Sequence, residues 1–140
     1  MTPDGEMLAE IPMPVTRQVL QRGQQRFDIF CAPCHGRLGN GQGMVVQRGL
    51  RQAASYHQDR LRQERVGYFY DVITNGFGAM QGYAEQIAVR DRWLIVAYER
   101  TLQLSQHASV EDVPADRRGS LEAGAAETPA AGTAKPAEKH

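Results

Sequence analysis

Apolar residues return every three or four positions between Thr16 and Phe30. Val19, Leu20, Gly23, Phe27 and Phe30 draw one stripe along a helix. Thr16 stands where a helix N-cap belongs, with Pro14 two residues before it. Gly23 inside a helix costs about 0.5–1 kcal/mol against Ala, and a close helix crossing would explain its presence. Beyond His35 the pattern breaks: Gly36, Gly39, Gly41 and Gly43 within eight residues predict a loop passing close to something flat. Residues 44–59 show no period. A short helix is predicted from Asp59 or Arg60, and another over Val66–Thr74 with Tyr68, Phe69, Val72 and Ile73 as its apolar face. Asn75-Gly76 is a natural stop, with the glycine in the left-handed position after the helix. The last helix has Asp91 in its first turns and runs to about Leu104. Trp93, Leu94, Val96, Ala97, Tyr98 and Leu102 make it the main packing element. No segment alternates with the period of a strand, so the predicted fold is all-α.

The same pattern divides the chain. Residues 1–14 are an irregular lead containing Pro3, Pro12 and Pro14. Residues 15–107 are the foldable body. From Ala108 to His140 the composition turns to Ala, Glu, Pro, Gly and Ser with no aromatic residue, which cannot bury enough apolar area to offset ordering entropy, so a disordered tail is expected. A body under 100 residues has a marginal core without help.

Net charge is zero over the whole chain but not within the body, where twelve Arg and no Lys face seven acidic residues. That excess suits docking on an acidic partner, and equally suits a solvated Arg-rich surface. No basic helix with interleaved aromatics points to nucleic acid. No stretch nears the roughly 20 apolar residues of a membrane span. Met1–Glu10 has neither the basic start nor the apolar run of a signal peptide, so a truncated, processed or otherwise exported chain is expected.

The chemistry is concentrated in Cys31-Ala32-Pro33-Cys34-His35. C-x-x-C-H is the attachment signature of a c-type haem: each thiol forms a thioether to one vinyl group, and the adjacent histidine becomes a proximal iron ligand. These are the only two cysteines in the chain. A thioredoxin-like dithiol would need a βαβ neighbourhood, and a structural zinc site would need a second ligand pair; the sequence offers neither. A tethered haem would also give the small body the centre of its core. Met44, Met80, His57 and His107 are the candidates for a second axial ligand. Met80 is favoured because it stands in a glycine-rich loop well downstream of His35, able to wrap to the opposite haem face. With both axial positions filled, the chemistry is one-electron transfer rather than oxygen or peroxide turnover.

The ordering of these features resembles class I cytochrome c: a haem motif after a first helix, a distal Met loop and an aromatic-bearing last helix. In that fold the first and last helices cross at near right angles, and the resemblance assigns Gly23 and Phe27 to one side of the contact and Trp93 and Tyr98 to the other. The chain is most similar to one branch, the monohaem cytochrome c subunit of alternative complex III, a bacterial respiratory assembly that oxidises menaquinol. The similarity rests on Ile11-Pro12-Met13-Pro14-Val15-Thr16, Phe30–Arg37, Gly41–Val45, the long string Gly67–Met80, and Asp91–Tyr98. It implies haem attachment at Cys31 and Cys34, with iron held by His35 and Met80. It also implies redox partners among the other subunits of that complex and a cytochrome oxidase, and a place on the periplasmic side of the inner membrane. Membrane association would then come through the complex, because no span is present. A free-standing periplasmic cytochrome c, and a sensor or peroxidase-like protein with an open iron site, are the alternatives. The sequence departs from that branch at Gln81 and at Ala53-Ala54, where prolines are usual, so both loops are expected to be freer.

Overall fold

The structure, a computed structural model, describes residues 6–120. The chain divides into two units, Met1–His107 and Ala108–His140.

The described part of the first unit is mostly helical. Helix α1 (Arg17–Phe30) starts where the Thr16 hydroxyl accepts a hydrogen bond from the Val19 amide at 3.2 Å. Its partner is α6 (Val89–His107), the longest element. A Cβ on Gly23 would lie 2.1 Å from the Leu94 carbonyl oxygen, so only glycine lets the two backbones meet. One turn on, fully buried Phe27 sets its ring against Tyr98 at 5.3 Å, edge to face. The crossing is therefore made by Gly23 and Phe27 with Leu94 and Tyr98. Trp93, assigned to the same contact from the sequence, stacks flat on Tyr70 at 4.3 Å.

Between these helices the chain makes short elements: α2 (Ala32–His35), α3 (Met44–Gln47), α4 (Asp59–Gln63) and α5 (Val66–Asn75). The single turn α3 lies in a stretch read as irregular, because four residues are too few to show a period. After α5 comes a hairpin of two-residue strands, β1 (Gly76–Phe77) and β2 (Met80–Gln81), with Gly76 opposite Gln81 and Phe77 opposite Met80. Strands this short leave no alternation to detect.

The described residues of the lead, 6–14, form no helix, but they pack. Leu8, Ile11 and Met13 lie against the core, and the Gly67 amide donates to the Leu8 carbonyl at 2.9 Å. In the second unit, residues 108–120 carry two 3-10 turns, Val110–Asp112 and Ala115–Arg117, the first closed by a Ser109–Asp112 capping box. The rest of the stretch expected to be disordered, residues 121–140, lies outside the described residues.

Candidate haem site

Helices α2, α5 and α6, the loop before α4 and the hairpin enclose a cavity of about 550 Å³. That is within the roughly 300–1,000 Å³ of small-molecule and cofactor sites. Cys31, Cys34 and His35 line it, and so does Met80. Tyr68, Phe69, Val72 and Ile73 give α5's apolar face to it, while the exposed cations Arg51 and Arg60 border it. An apolar slot edged by positive charge fits a flat macrocycle with anionic propionates.

His35 is held by the fold as a ligand must be. Its Nδ1 is 2.9 Å from the Ala54 carbonyl oxygen. A carbonyl only accepts, so Nδ1 carries the proton. Burial keeps the imidazole pKa below its usual value, although the Ala54 bond pulls the other way. A neutral ring with Nδ1–H has its lone pair on Nε2, the form that binds a metal, with the second nitrogen fixed by a backbone carbonyl. Tyr56, itself buried, stacks on the imidazole at 4.8 Å and 22°.

The glycine-rich loop makes this possible. Gly43 donates its amide to Cys34 O at 3.0 Å, and a Cβ there would come within 2.2 Å of Pro33 O. Gly41, at φ +82°, donates to His35 O at 2.8 Å and passes so near Ala53 O that a Cβ would stand 2.3 Å away. The loop passes close to backbone, not only to a flat group as its composition suggested.

Met80 reaches the cavity from the hairpin, partly buried, beyond a two-residue turn with Gly78 at φ +55°. The other ligand candidates stand elsewhere. Met44 is 64% exposed. His57 approaches Leu38 O through Nε2 at 2.7 Å and stacks on His107 at 5.8 Å. Neither histidine, nor Met44, lines the cavity. Among the described residues, Met80 alone of the four shares the cavity with His35. Tyr68 and Arg51 line the cavity; Tyr70, Trp93 and Arg48 do not.

Tyr56 and Glu99 are among the lining residues that escaped the sequence reading. Tyr56 sits in an aperiodic loop. Glu99 lies on α6, only 3% exposed, with its carboxyl pushed up to about 8 by burial, against the opposing effects of a hydrogen bond from Tyr56 and the charge of Arg100. The clue was available: Leu94, Ile95, Val96 and Ala97 are four successive apolar residues, a helix buried all round, in which a nearby Glu has no guaranteed solvent face. Burial likewise raises the Cys31 thiol pKa, with the charges of Glu99 and Cys34 adding to it. No group of three or more His, Cys, Asp or Glu side chains is placed to hold a bare metal ion among the described residues.

Comparison with known proteins agrees with this geometry. Residues 18–98 match the protein family described as "Cytochrome C oxidase, cbb3-type, subunit III". Among solved structures, a chain of the Kuenenia stuttgartiensis reducing HAO-like protein complex superposes with a TM-score of 0.55 at 19% identity. The match covers 66% of this chain and 48% of that one, so the present chain spans about half the neighbour's length, and the likeness is one of fold. No curated protein matches in sequence. With its all-α fold and cofactor-sized cavity, the chain belongs to the cytochrome c domain family that residues 18–98 match: a class I cytochrome c, an electron-transfer protein whose cofactor is haem c.

Proposed function

We propose that this domain carries one electron at a time on a single haem c tethered by thioethers to Cys31 and Cys34, with His35 and Met80 as axial ligands. The observation carrying this reading is the fixed tautomer of His35: Nδ1 is tied to Ala54 O and Nε2 is left as the donor in a cavity that Met80 also lines. When bound, the haem supplies an iron that cycles between ferric and ferrous. The chain's residues do the rest. Cys31 and Cys34 fix the macrocycle's position, and the α5 face and Phe30 exclude water from it. His35 gives nitrogen ligation. The Met80 thioether, soft and neutral, favours the ferrous form and raises the potential above that of a bis-histidine site.

In the finer reading, the domain is the cytochrome c subunit of a quinol-oxidising complex of the alternative complex III type, on the periplasmic side of the inner membrane. It receives electrons from another subunit and passes them to a terminal oxidase or a soluble carrier. The sequence strings Ile11–Thr16 and Gly67–Met80 support this assignment. No helix among the described residues is long and apolar enough to cross a membrane, so attachment would come through partner subunits.

Intact mass with a pyridine haemochrome spectrum tests the cofactor: the mature chain should exceed its polypeptide mass by one haem, with both vinyls consumed. A mature chain of bare polypeptide mass from its native host would overturn the proposal. Replacing Met80 with Ala should lower the potential and open the iron to carbon monoxide. Unchanged spectra and potential in M80A would reject Met80 as ligand. Pull-down from native membranes should recover quinol-oxidising subunits; recovery as a lone monomer would favour a free-standing carrier.

A further inference from the structure

Glu99 is a carboxyl group with no evident structural duty. It is sealed inside the cavity wall midway along α6, its Oε2 has no hydrogen-bond partner, and it shares the cavity with Cys31, His35 and Met80. A purely structural buried acid pairs with a cation or has both oxygens satisfied. Glu99 does neither. Arg100, the next residue, aims its guanidinium at the carbonyl oxygens of Leu61, Arg62 and Glu64 and at the Gln103 side chain, so its charge acts on Glu99 through space. The groups facing Glu99 from other elements are the Tyr56 hydroxyl, which donates to it from the loop before α4, and the Cys31 sulfur at the end of α1.

We propose that Glu99 is the redox-linked proton acceptor of this cytochrome: it binds one proton from solvent when the haem in the same cavity gains one electron, and releases it when the electron leaves. This rests on the reading of the cavity as the haem site. The electron comes from the one-electron donor protein and the proton from water. The Glu99 carboxylate would become the neutral acid as a bound haem took up its electron, so the net charge inside the cavity would not change over the cycle.

Three physical facts carry the inference. Charges in a poorly solvated cavity interact far more strongly than on the surface, so adding one electron favours protonation of any carboxylate beside it. Glu99 is already poised for this, because burial has moved its carboxyl from 4.5 to about 8, near the pH of a cell. Tyr56 also connects the carboxyl with the iron-binding side, since its hydroxyl donates to Glu99 while its ring stacks on His35. Neutralising the carboxylate stabilises the reduced state at low pH, and the ionised form stabilises the oxidised state at high pH. The midpoint potential therefore falls as pH rises between the carboxyl's pKa values in the two redox states.

Titrating the potential of the purified holoprotein against pH tests this. In the wild type the reduction equilibrium should shift towards oxidised by up to tenfold per pH unit, or 59 mV for one electron, over a window near or above pH 8. In E99Q, which keeps the shape and loses the proton, that window should be flat. In Y56F, which keeps the ring stack and removes the hydrogen bond that lowers the carboxyl's pKa, the window should move to higher pH. Redox-difference infrared spectra add a readout independent of the potential: a protonated carboxyl band should grow on reduction, shift in D2O and vanish in E99Q. Haem-loaded E99Q with the wild-type pH profile and carboxyl band would overturn the proposal while leaving the electron carrier intact. A mature chain without haem would overturn both.

Discussion

The wall of the cavity that carries His35 is tied down by backbone, whereas the wall that carries Met80 hangs on a hairpin of two-residue strands. On the first side, amide bonds from Gly41 and Gly43 close back on His35 and Cys34, Tyr56 N donates to Gly39 O, and Ala54 O fixes the imidazole. On the second, Gly78 has nothing within 4 Å of a would-be Cβ, and Phe77 is 66% exposed. The hairpin is anchored at its base, where the Tyr83 amide donates to Ile73 O at 2.7 Å. The contrast teaches how one small fold could hold a cofactor firmly and still leave one ligand adjustable. On the proposed ligation, attachment and nitrogen ligation would share the rigid wall, and the thioether ligand would stand on the yielding one.

Raising the pH from acid to neutral should weaken the fold most. The Glu99 carboxyl is held at about 8 in the folded chain and returns to its ordinary value near 4.5 on unfolding. Between those values the folded chain binds more protons than the unfolded one, so stability falls as pH rises through the window. At about 1.4 kcal/mol per pH unit the loss is on the order of 5 kcal/mol. Urea midpoints of wild type and E99Q, measured across the window, should diverge with pH. Parallel curves would mean that the carboxyl is not held as a buried acid, and would remove the electrostatic part of the contrast.

A matched pair of glycine substitutions separates the walls by packing. In G43A the new methyl meets the Pro33 carbonyl at 2.2 Å, a backbone atom that cannot swing away, so the turn holding Cys34 must shift. We expect a loss of about 2–4 kcal/mol with impaired haem retention. In G78A there is space, and only the left-handed φ of +55° opposes the change, at about 1–2 kcal/mol. Chemical unfolding and haem content measure both. Equal losses would show that the hairpin is as constrained as the motif turn.

Much of this contrast was legible in the residues. Thr16, the α1 stripe and the Asn75-Gly76 stop each carry their signal locally, through a hydroxyl cap, a 3.6-residue period and a left-handed glycine at φ +83°. That the C-x-x-C-H string and the Met80 loop belong to one cavity was legible because their residue types and spacing point to one group. What escaped was set by tertiary placement. The partner of His35 is a backbone carbonyl, which any residue at position 54 would supply. Tyr56 and Glu99 look like a loop aromatic and a helix-surface acid until α1 and α6 close over them. Trp93 was assigned to the helix crossing by type, but stacking on Tyr70 claims it.

The smallest expected effect lies in the loop that presents Ala54. Ala53-Ala54 stands where the resemblance drawn from the sequence implies prolines, and the loop must hold Ala54 O at 2.9 Å from His35 Nδ1. Among the described residues Ala53 donates no backbone hydrogen bond, so a proline there removes none. Its ring would limit the freedom of the unfolded chain and leave the folded contacts as they are, which stabilises by about 0.4–1 kcal/mol where the native φ is compatible. A53P should therefore raise the urea midpoint slightly, leave the potential unchanged and slow hydrogen exchange in the His35 loop relative to the hairpin. If A53P instead destabilises the chain or shifts the potential, the Ala53 backbone lies outside the proline region. The freedom of that loop would then be part of how His35 is seated, and the rigid wall would owe its order to the glycines and Tyr56 alone.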